Sequence, residues 1–312
     1  MLHTIISGIE KLSDDSEKVL SKFSSIAYLK INEESELHNA LNSCDVFWFR
    51  LNHNLSKTVL KNVKCKYILC AATGLDHIDL NACKENNIAV ISLKGESDFL
   101  KEVRATAEHT LGLLLALIRK TKLAFNHVEQ GEWDRYKFQG FELYKKNVGI
   151  YGMGRLGKIM ADYYYTMGMT VFYFDTNKDY EDIRFTRVAS PEELCSHIDV
   201  LSIHLPYNDA THFIIHKDIL KHLPANAFIV NTARGGVVNE NDLLEMLEKK
   251  QIYGYATDVL YNEPQIKEHK LVKYAQKNEN IIITPHIGGN TYESIEKTEF
   301  FIVNKLYQKI KG

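Results

Sequence analysis

The run Val148-Gly149-Ile150-Tyr151-Gly152-Met153-Gly154-Arg155-Leu156-Gly157, followed by Val171-Phe172-Tyr173-Phe174-Asp175, reads as an apolar strand, a glycine turn, a helix over 158–167, a second apolar strand and one acidic residue. Each part suits a bound dinucleotide. Gly152 permits the tight turn, Gly154 lets backbone approach a pyrophosphate, and Gly157 lets helix pack on strand. The helix N-terminus adds unpaired N–H groups and a partial positive charge. Asp175 stands about 18 residues after Gly157, where a carboxylate accepts ribose hydroxyls. A carboxylate there also repels a 2′-phosphate. The turn after it holds Lys178 and no arginine, so the expected cofactor is NAD (NADH) rather than NADP.

The chain has 312 residues, natural for two domains, with 45% hydrophobic and 25% charged residues, as in ordinary globular proteins. A net charge of −2 and a pI near 6.7 give no bulk basic footprint for nucleic acid or an anionic membrane. Cys44, Cys65, Cys70, Cys83 and Cys195 are odd in number, scattered and without a C-x-x-C pair, which suits a reducing compartment and argues against disulfides or a zinc site. The start, Met1 to Ser7, is too short and polar-flanked for a signal peptide, and the apolar run 111–118 is too short to span a membrane. These features together predict a cytoplasmic protein.

Outward from the fingerprint, short apolar runs alternate with amphipathic stretches. Val46 to Phe49, Tyr67 to Cys70 and Ile88 to Ile91 read as strands, with short helices over 56–62 and 80–85. A long helical pattern covers 101–124. Further strands fall at 200–203, 227–230, 253–258 and 281–284, and a final helix at 292–310. The expected class is α/β: two doubly wound parallel-sheet domains, Rossmann-like and flavodoxin-like, with an interdomain cleft. Residues 1–101 plus 288–312 would form a substrate (catalytic) domain, and 102–287 an inserted NAD-binding Rossmann domain.

Four stretches sit at predicted strand ends, the crevice side of such a sheet. They are His204-Leu205-Pro206, Asn231 to Gly236, Asp258 to Pro264, and Thr284 to Gly289. One proposal joins them. Arg234 grips a carboxylate with its forked donors. His286 exchanges a proton with a substrate oxygen, and Glu263 pairs with His286, fixing its tautomer and favouring its protonated form. Seen alone, Arg234 reads equally as a surface ion-pair partner, Glu263 as a helix-start charge, His286 as a loop histidine and Asp258 as a turn cap.

With these stretches, the fingerprint, Ala72-Thr73-Gly74-Leu75-Asp76-His77-Ile78-Asp79 and Ala105-Thr106-Ala107-Glu108-His109, the chain resembles the D-isomer-specific 2-hydroxyacid dehydrogenases over nearly all its length. The resemblance implies an NAD-dependent enzyme that interconverts a D-2-hydroxy acid and its 2-keto acid by hydride transfer. It makes Arg234, Glu263 and His286 the catalytic set, and places Arg155 and Leu156 at the pyrophosphate. Leu205, Pro206 and Thr211 match the adenosine side, Thr232 and Ala233 the nicotinamide ribose, and Asp258 the carboxamide; Thr106 joins the cofactor set. Gly74 and Leu75 match a loop whose amides bind the substrate carboxylate, and Arg50 a position that reaches substrate in some members.

The resemblance leaves several matters open. The segment 93–101 carries more charge than its family counterpart, so Lys94 or Lys101 would meet an anionic substrate tail or simply face solvent. Gly288-Gly289-Asn290-Thr291 looks like the phosphoglycerate dehydrogenase branch, without the regulatory domain of its long members. The matched position Glu263 disfavours a formate dehydrogenase, which has Gln there. An L-specific lactate enzyme is disfavoured too, because about 150 residues precede the fingerprint. A phosphoglycerate, a sugar acid and a simple aliphatic keto acid all fit as substrate. The family habit predicts a homodimer through the 101–124 helix and the arm at 131–133, with Trp133 as interface anchor or core aromatic. The alternative on the same fold is an NADH-sensing, corepressor-like binding protein.

Overall fold

Apolar runs too continuous for a one-sided sheet become parallel strands buried on both faces. In the computed structural model, which describes residues 1–311, they fall into two units. One is Met1–Val103 together with the chain from Asn290, and the other is Arg104–Gly289.

The first unit is a parallel sheet of β1 (Leu2–Ser7), β2 (Ser24–Leu29), β3 (Val46–Phe49), β4 (Tyr67–Cys70) and β5 (Ala89–Ser92), in the order β2-β1-β3-β4-β5. Neither β1 nor β2 is among the strands expected from the sequence. Phe47, Trp48 and Phe49 are wholly buried, so β3 feeds both faces of the core. The final helix, Tyr292–Lys311, packs Ile302, Val303 and Leu306 into one face with Ile6, Leu20 and Trp48. The expected helix at 56–62 is a turn instead. Leu60 N–H reaches Ser56 O and Lys61 N–H reaches Thr58 O, then Asn62 turns to φ 58° and stops it. In 93–101, Leu93 and Leu100 are buried, Lys101 is paired with Asp98, and Glu96 is bound by Lys305.

The second unit is a seven-stranded parallel sheet: β6 (Asn147–Tyr151), β7 (Thr170–Phe174), β8 (Thr186–Arg187), β9 (Val200–Ile203), β10 (Phe228–Asn231), β11 (Gly254–Thr257) and β12 (Ile281–Ile283). Its order is β12-β11-β10-β9-β6-β7-β8. The order reverses between β6 and β9, and the crevice outside such a switch point is the favoured ligand site of open α/β sheets. The long 101–124 pattern divides in two. Helix Ala105–Ile118 ends, Lys120 takes φ 53°, and a new helix runs Thr121–Glu129. Trp133 is 87% exposed, so it is not a core aromatic. All five cysteines are free and buried, and among the described residues no helix is long and apolar enough to cross a membrane.

Candidate functional site

The glycine turn joins β6 to helix Arg155–Thr166. Gly152 has φ +98°, a left-handed conformation that side chains disfavour, and a Cβ on it would meet the His204 carbonyl oxygen at 2.6 Å. Gly157 packs so tightly that its Cβ would lie 2.0 Å from the Gly152 carbonyl oxygen, whereas a Cβ on Gly154 would meet nothing within 4 Å. The close packing of Gly157 and the open space at Gly154 match the two jobs that a dinucleotide turn asks of its glycines. Gly154 supplies no side-chain cap and the first helical turn holds no acidic residue, leaving its N–H groups for an anion. Burial, and then the like charge of Arg104, hold the Arg155 guanidinium below its ordinary value. The charge of Arg104 is thus felt by Arg155 at this helix start. Sequence reading missed Arg104, which lies about 50 residues before the turn.

Asp175 ties the turn to β7: one carboxylate oxygen accepts from Met153 N–H at 2.6 Å and the other from Asn177 N–H at 2.7 Å. Arg187, on β8, donates to the carbonyls of Asp175 and Asn177 at 2.6 and 3.1 Å. An arginine thus braces the turn where sequence alone offered only Lys178. Leu205 and Pro206 leave β9 beside the glycine turn, where a Cβ on Gly152 would come 3.2 Å from Leu205. The Thr211 hydroxyl locks the following loop, donating to Pro206 O at 2.6 Å and accepting from Asn208 N–H at 2.9 Å.

The candidate catalytic residues Arg234, Glu263 and His286 come from three adjacent strands, whose register pairs Asn231 with Thr257 and Thr257 with Ile283. Beyond these ends lie Thr232 to Arg234, Asp258 to Glu263, and Thr284 to His286. The Thr232 hydroxyl bonds that of Thr110 at 2.6 Å, Ala233 N–H reaches Asn231 Oδ1 at 3.0 Å, and Arg234 donates to Ala233 O at 2.8 Å. A Cβ on Gly235 would sit 2.1 Å from Leu260 C, so the Arg234 loop packs directly on the turn that leads to Glu263. Glu263 accepts Leu260 N–H at 3.1 Å with one oxygen and pairs with His286 Nδ1 through the other. With Nδ1 engaged, Nε2 is the nitrogen left for a substrate oxygen.

His286 has φ 54°, a left-handed conformation uncommon outside glycine. The loop is held there by Asp258. Its carbonyl accepts His286 N–H at 2.8 Å, and its carboxylate accepts Ile287 N–H at 2.8 Å and Gly288 N–H at 2.7 Å. The Thr284 hydroxyl at 2.6 Å and His109 Nε2 at 3.2 Å complete the shell. Burial works to raise the Asp258 carboxyl, but the bonds from His109, Thr284 and the two amides outweigh it and hold it below the usual carboxylate range. Thr106 also touches this loop, its methyl 3.2 Å from where a Gly288 Cβ would stand. Asp258 is thus the anchor of the His286 loop. His109 shares that task, although its motif carried no role for it in the sequence.

In the first unit, Gly74 and Leu75 follow β4 and Arg50 follows β3, at neighbouring strand ends. The Gly74 and Leu75 amides donate to no acceptor among the described residues. Arg50 donates to wholly buried Glu299 at 2.9 Å, and Glu299 also accepts Ser13 N–H at 2.8 Å. Arg50 is therefore held by a carboxylate that sequence reading had not found.

Residues 111–288 match the family described as D-isomer specific 2-hydroxyacid dehydrogenase, NAD binding domain. The chain is 30% identical to D-3-phosphoglycerate dehydrogenase of Methanocaldococcus jannaschii over 307 residues, 97% of this chain and 57% of that protein. It is likewise 30% identical to hydroxypyruvate reductase of Thermotoga maritima over 281 residues, 89% of each. D-lactate dehydrogenase of Aquifex aeolicus, solved with NAD and lactic acid, superposes with a TM-score of 0.83 at 26% identity, covering 99% of this chain and 97% of that one. A dinucleotide turn and an Arg, Glu and His at successive strand ends, in a chain so matched, have one common explanation: the chain belongs to the D-isomer-specific 2-hydroxyacid dehydrogenase family.

Proposed function

We propose that this chain is an NAD-dependent oxidoreductase interconverting a D-2-hydroxy acid and its 2-keto acid. The observation that carries the reading is the Glu263–His286 pair, held by the Asp258-anchored loop in an NAD binding domain. NADH, when bound, supplies the hydride to C2 of the keto acid. Arg104, Arg155 and the N–H groups of the helix start would hold the pyrophosphate, Asp175 the adenosine ribose, and Thr232, Ala233 and Asp258 the nicotinamide end. Arg234 grips the substrate carboxylate with its fork, and the Gly74 and Leu75 amides are assigned to the same group by resemblance. His286 gives its proton to the developing alkoxide while the Glu263 charge stabilises the imidazolium. On this reading the first unit is the substrate domain, and Arg50, held by Glu299, is assigned to the acid by resemblance.

The deciding experiment is a kinetic panel. NADH oxidation is followed with 2-keto acids bearing phosphorylated, hydroxylated and plain aliphatic tails, and NAD reduction with the matching D- and L-hydroxy acids. Turnover of at least one keto acid and of its D-alcohol alone is expected. Tight NADH binding with no turnover of any acid would overturn the enzyme reading in favour of an NADH-sensing protein.

Two finer results follow. Glu263→Gln removes the charge that stabilises the His286 imidazolium. Reduction needs that imidazolium and declines as pH rises, so the decline should begin at lower pH in the variant, read from kcat/KM against pH. Asp175→Ala removes the carboxylate that repels a 2′-phosphate. The preference for NADH over NADPH, measured as a ratio of dissociation constants, should fall about tenfold, the scale of one charge-assisted contact. An unchanged ratio would remove Asp175 from cofactor selection.

A homodimer and a cytoplasmic location belong to the same proposal. Exposed Phe125, Val128, Trp133 and Tyr136 support an interface on the second unit, and five free cysteines support a reducing compartment.

A further inference from the structure

Behind the Glu263–His286 pair lies a second carboxylate–imidazole pair. Glu240 opens the helix Glu240–Glu248, which Asn239 caps by accepting the Asn241 and Asp242 amides. One Glu240 oxygen accepts Tyr261 N–H at 3.0 Å, and the other faces His269 Nε2 at 2.9 Å. The two side chains are only 11% and 13% exposed. Tyr261 lies inside the turn whose ends are Leu260 N–H and the Glu263 carboxylate, which bond each other. Glu240 thus grips the middle of the turn that presents Glu263, while Gly235 packs on the same backbone from the Arg234 side.

We propose that the Glu240–His269 pair is a positioning element for Glu263: it fixes the turn through the Tyr261 amide, and its buried negative charge favours the protonated form of His286. The inference rests on the acid–base role given to Glu263 and His286 above.

That charge comes and goes near neutrality for physical reasons. Burial pushes the Glu240 carboxyl up to about 7, opposed by the Tyr261 amide and reinforced by the Glu263 charge. Burial also holds the His269 imidazole below its ordinary value, opposed by the Tyr261 backbone. Glu240 accordingly carries its negative charge above about pH 7 and loses it below. The titratable groups that face Glu240 are His269 before the helix Lys270–Ala275, Glu263 across the turn, and Tyr255 on β11. Tyr255 is held neutral by burial and then by the Glu240 charge. Above neutrality the pair therefore adds to the Glu263 charge that stabilises the imidazolium. It loses that influence as the pH falls through about 7.

The experiment uses the full chain with and without NADH. Glu240→Gln keeps an oxygen for the Tyr261 amide but cannot carry charge, so folding and NADH affinity should stay near those of the unmutated chain. The His286 ring titration, followed by NMR of isotope-labelled histidine, should move to lower pH by about half a unit, a scale set by one buried charge acting at second remove. The fall of reduction with pH should move the same way. His269→Phe should do likewise, because Glu240 without its partner protonates more readily. A His286 titration unmoved in both variants would overturn the proposal and leave Glu240 as a turn filler. The NMR readout needs no turnover, so it decides the matter even if the kinetic panel finds no substrate.

Discussion

Replacing His286 with alanine or asparagine should lower turnover by about 10² to 10⁴, the usual worth of a positioned proton donor. The dissociation constant for NADH should change by less than about threefold, because a group acting mainly in the transition state leaves ground-state binding intact. Two substitutions are needed because His286 sits at φ 54°. Asparagine tolerates this conformation far better than most residues, and alanine does not. If the role is proton donation, both variants lose activity alike while alanine alone also loses stability. If asparagine retained near-normal turnover, the histidine would be serving the loop and not the chemistry. The Asp258 shell makes the comparison clean, since its bonds to the His286, Ile287 and Gly288 amides survive either change.

Gly157→Ala should be the most damaging change in the glycine turn. Its new Cβ would lie 2.0 Å from a backbone oxygen that cannot rotate away. Overpacking of this kind costs about 1–3 kcal/mol, which lowers Tm by about 2–4 °C per kcal/mol in a domain of this size. Moving the Gly152 carbonyl also reshapes the turn, so NADH affinity should fall at least about tenfold, or 1.4 kcal/mol. Gly154→Ala should separate these effects. Its Cβ meets no protein atom within 4 Å and its φ is −71°, so the melting temperature should barely move. Its affinity for NADH should still fall, because the methyl would occupy space left for the pyrophosphate. Equal NADH affinity in Gly154→Ala and the unmutated chain would exclude that placement of the cofactor.

The two substitutions also show what in this chain was legible before its structure. The fingerprint reads from sequence because its constraints are local: a positive φ, a close contact and a helix start all fall within six residues. Strands β9 to β12 read well too, being apolar runs with short boundaries. Helix limits fared worse where no glycine or proline marks a break, as at Lys120, which adopts a left-handed conformation without being glycine. The turn at 56–62 had a helix-like mix of residues, but one hydrogen-bonded turn closed by Asn62 satisfied it. The least legible residues were those whose side chains brace a partner in another element. Glu299 lies 249 residues from Arg50, and His109 is 149 from Asp258. Arg187 folds back twelve residues onto Asp175, and Glu240 meets Tyr261 at a distance of 21. No periodicity records such pairings. They follow from strand order, which brings together loops that the chain keeps apart.

The terminal helix Tyr292–Lys311 carries a consequence for how the molecule is made. It supplies Ile302, Val303 and Leu306 to the core of the first unit, and its buried Glu299 binds Arg50 and the Ser13 amide. That unit is built from both ends of the chain, whereas the second is one continuous stretch. On the ribosome, β1 to β5 emerge first but lack one wall of their core until about 200 more residues have followed. The second unit has all its strands as soon as β12 emerges and can close while synthesis continues. Trp48 and its neighbours stay open on one face through that interval, the period in which a nascent chain is most exposed to holdase capture. Of the two units, the one whose strands come first is the one finished second.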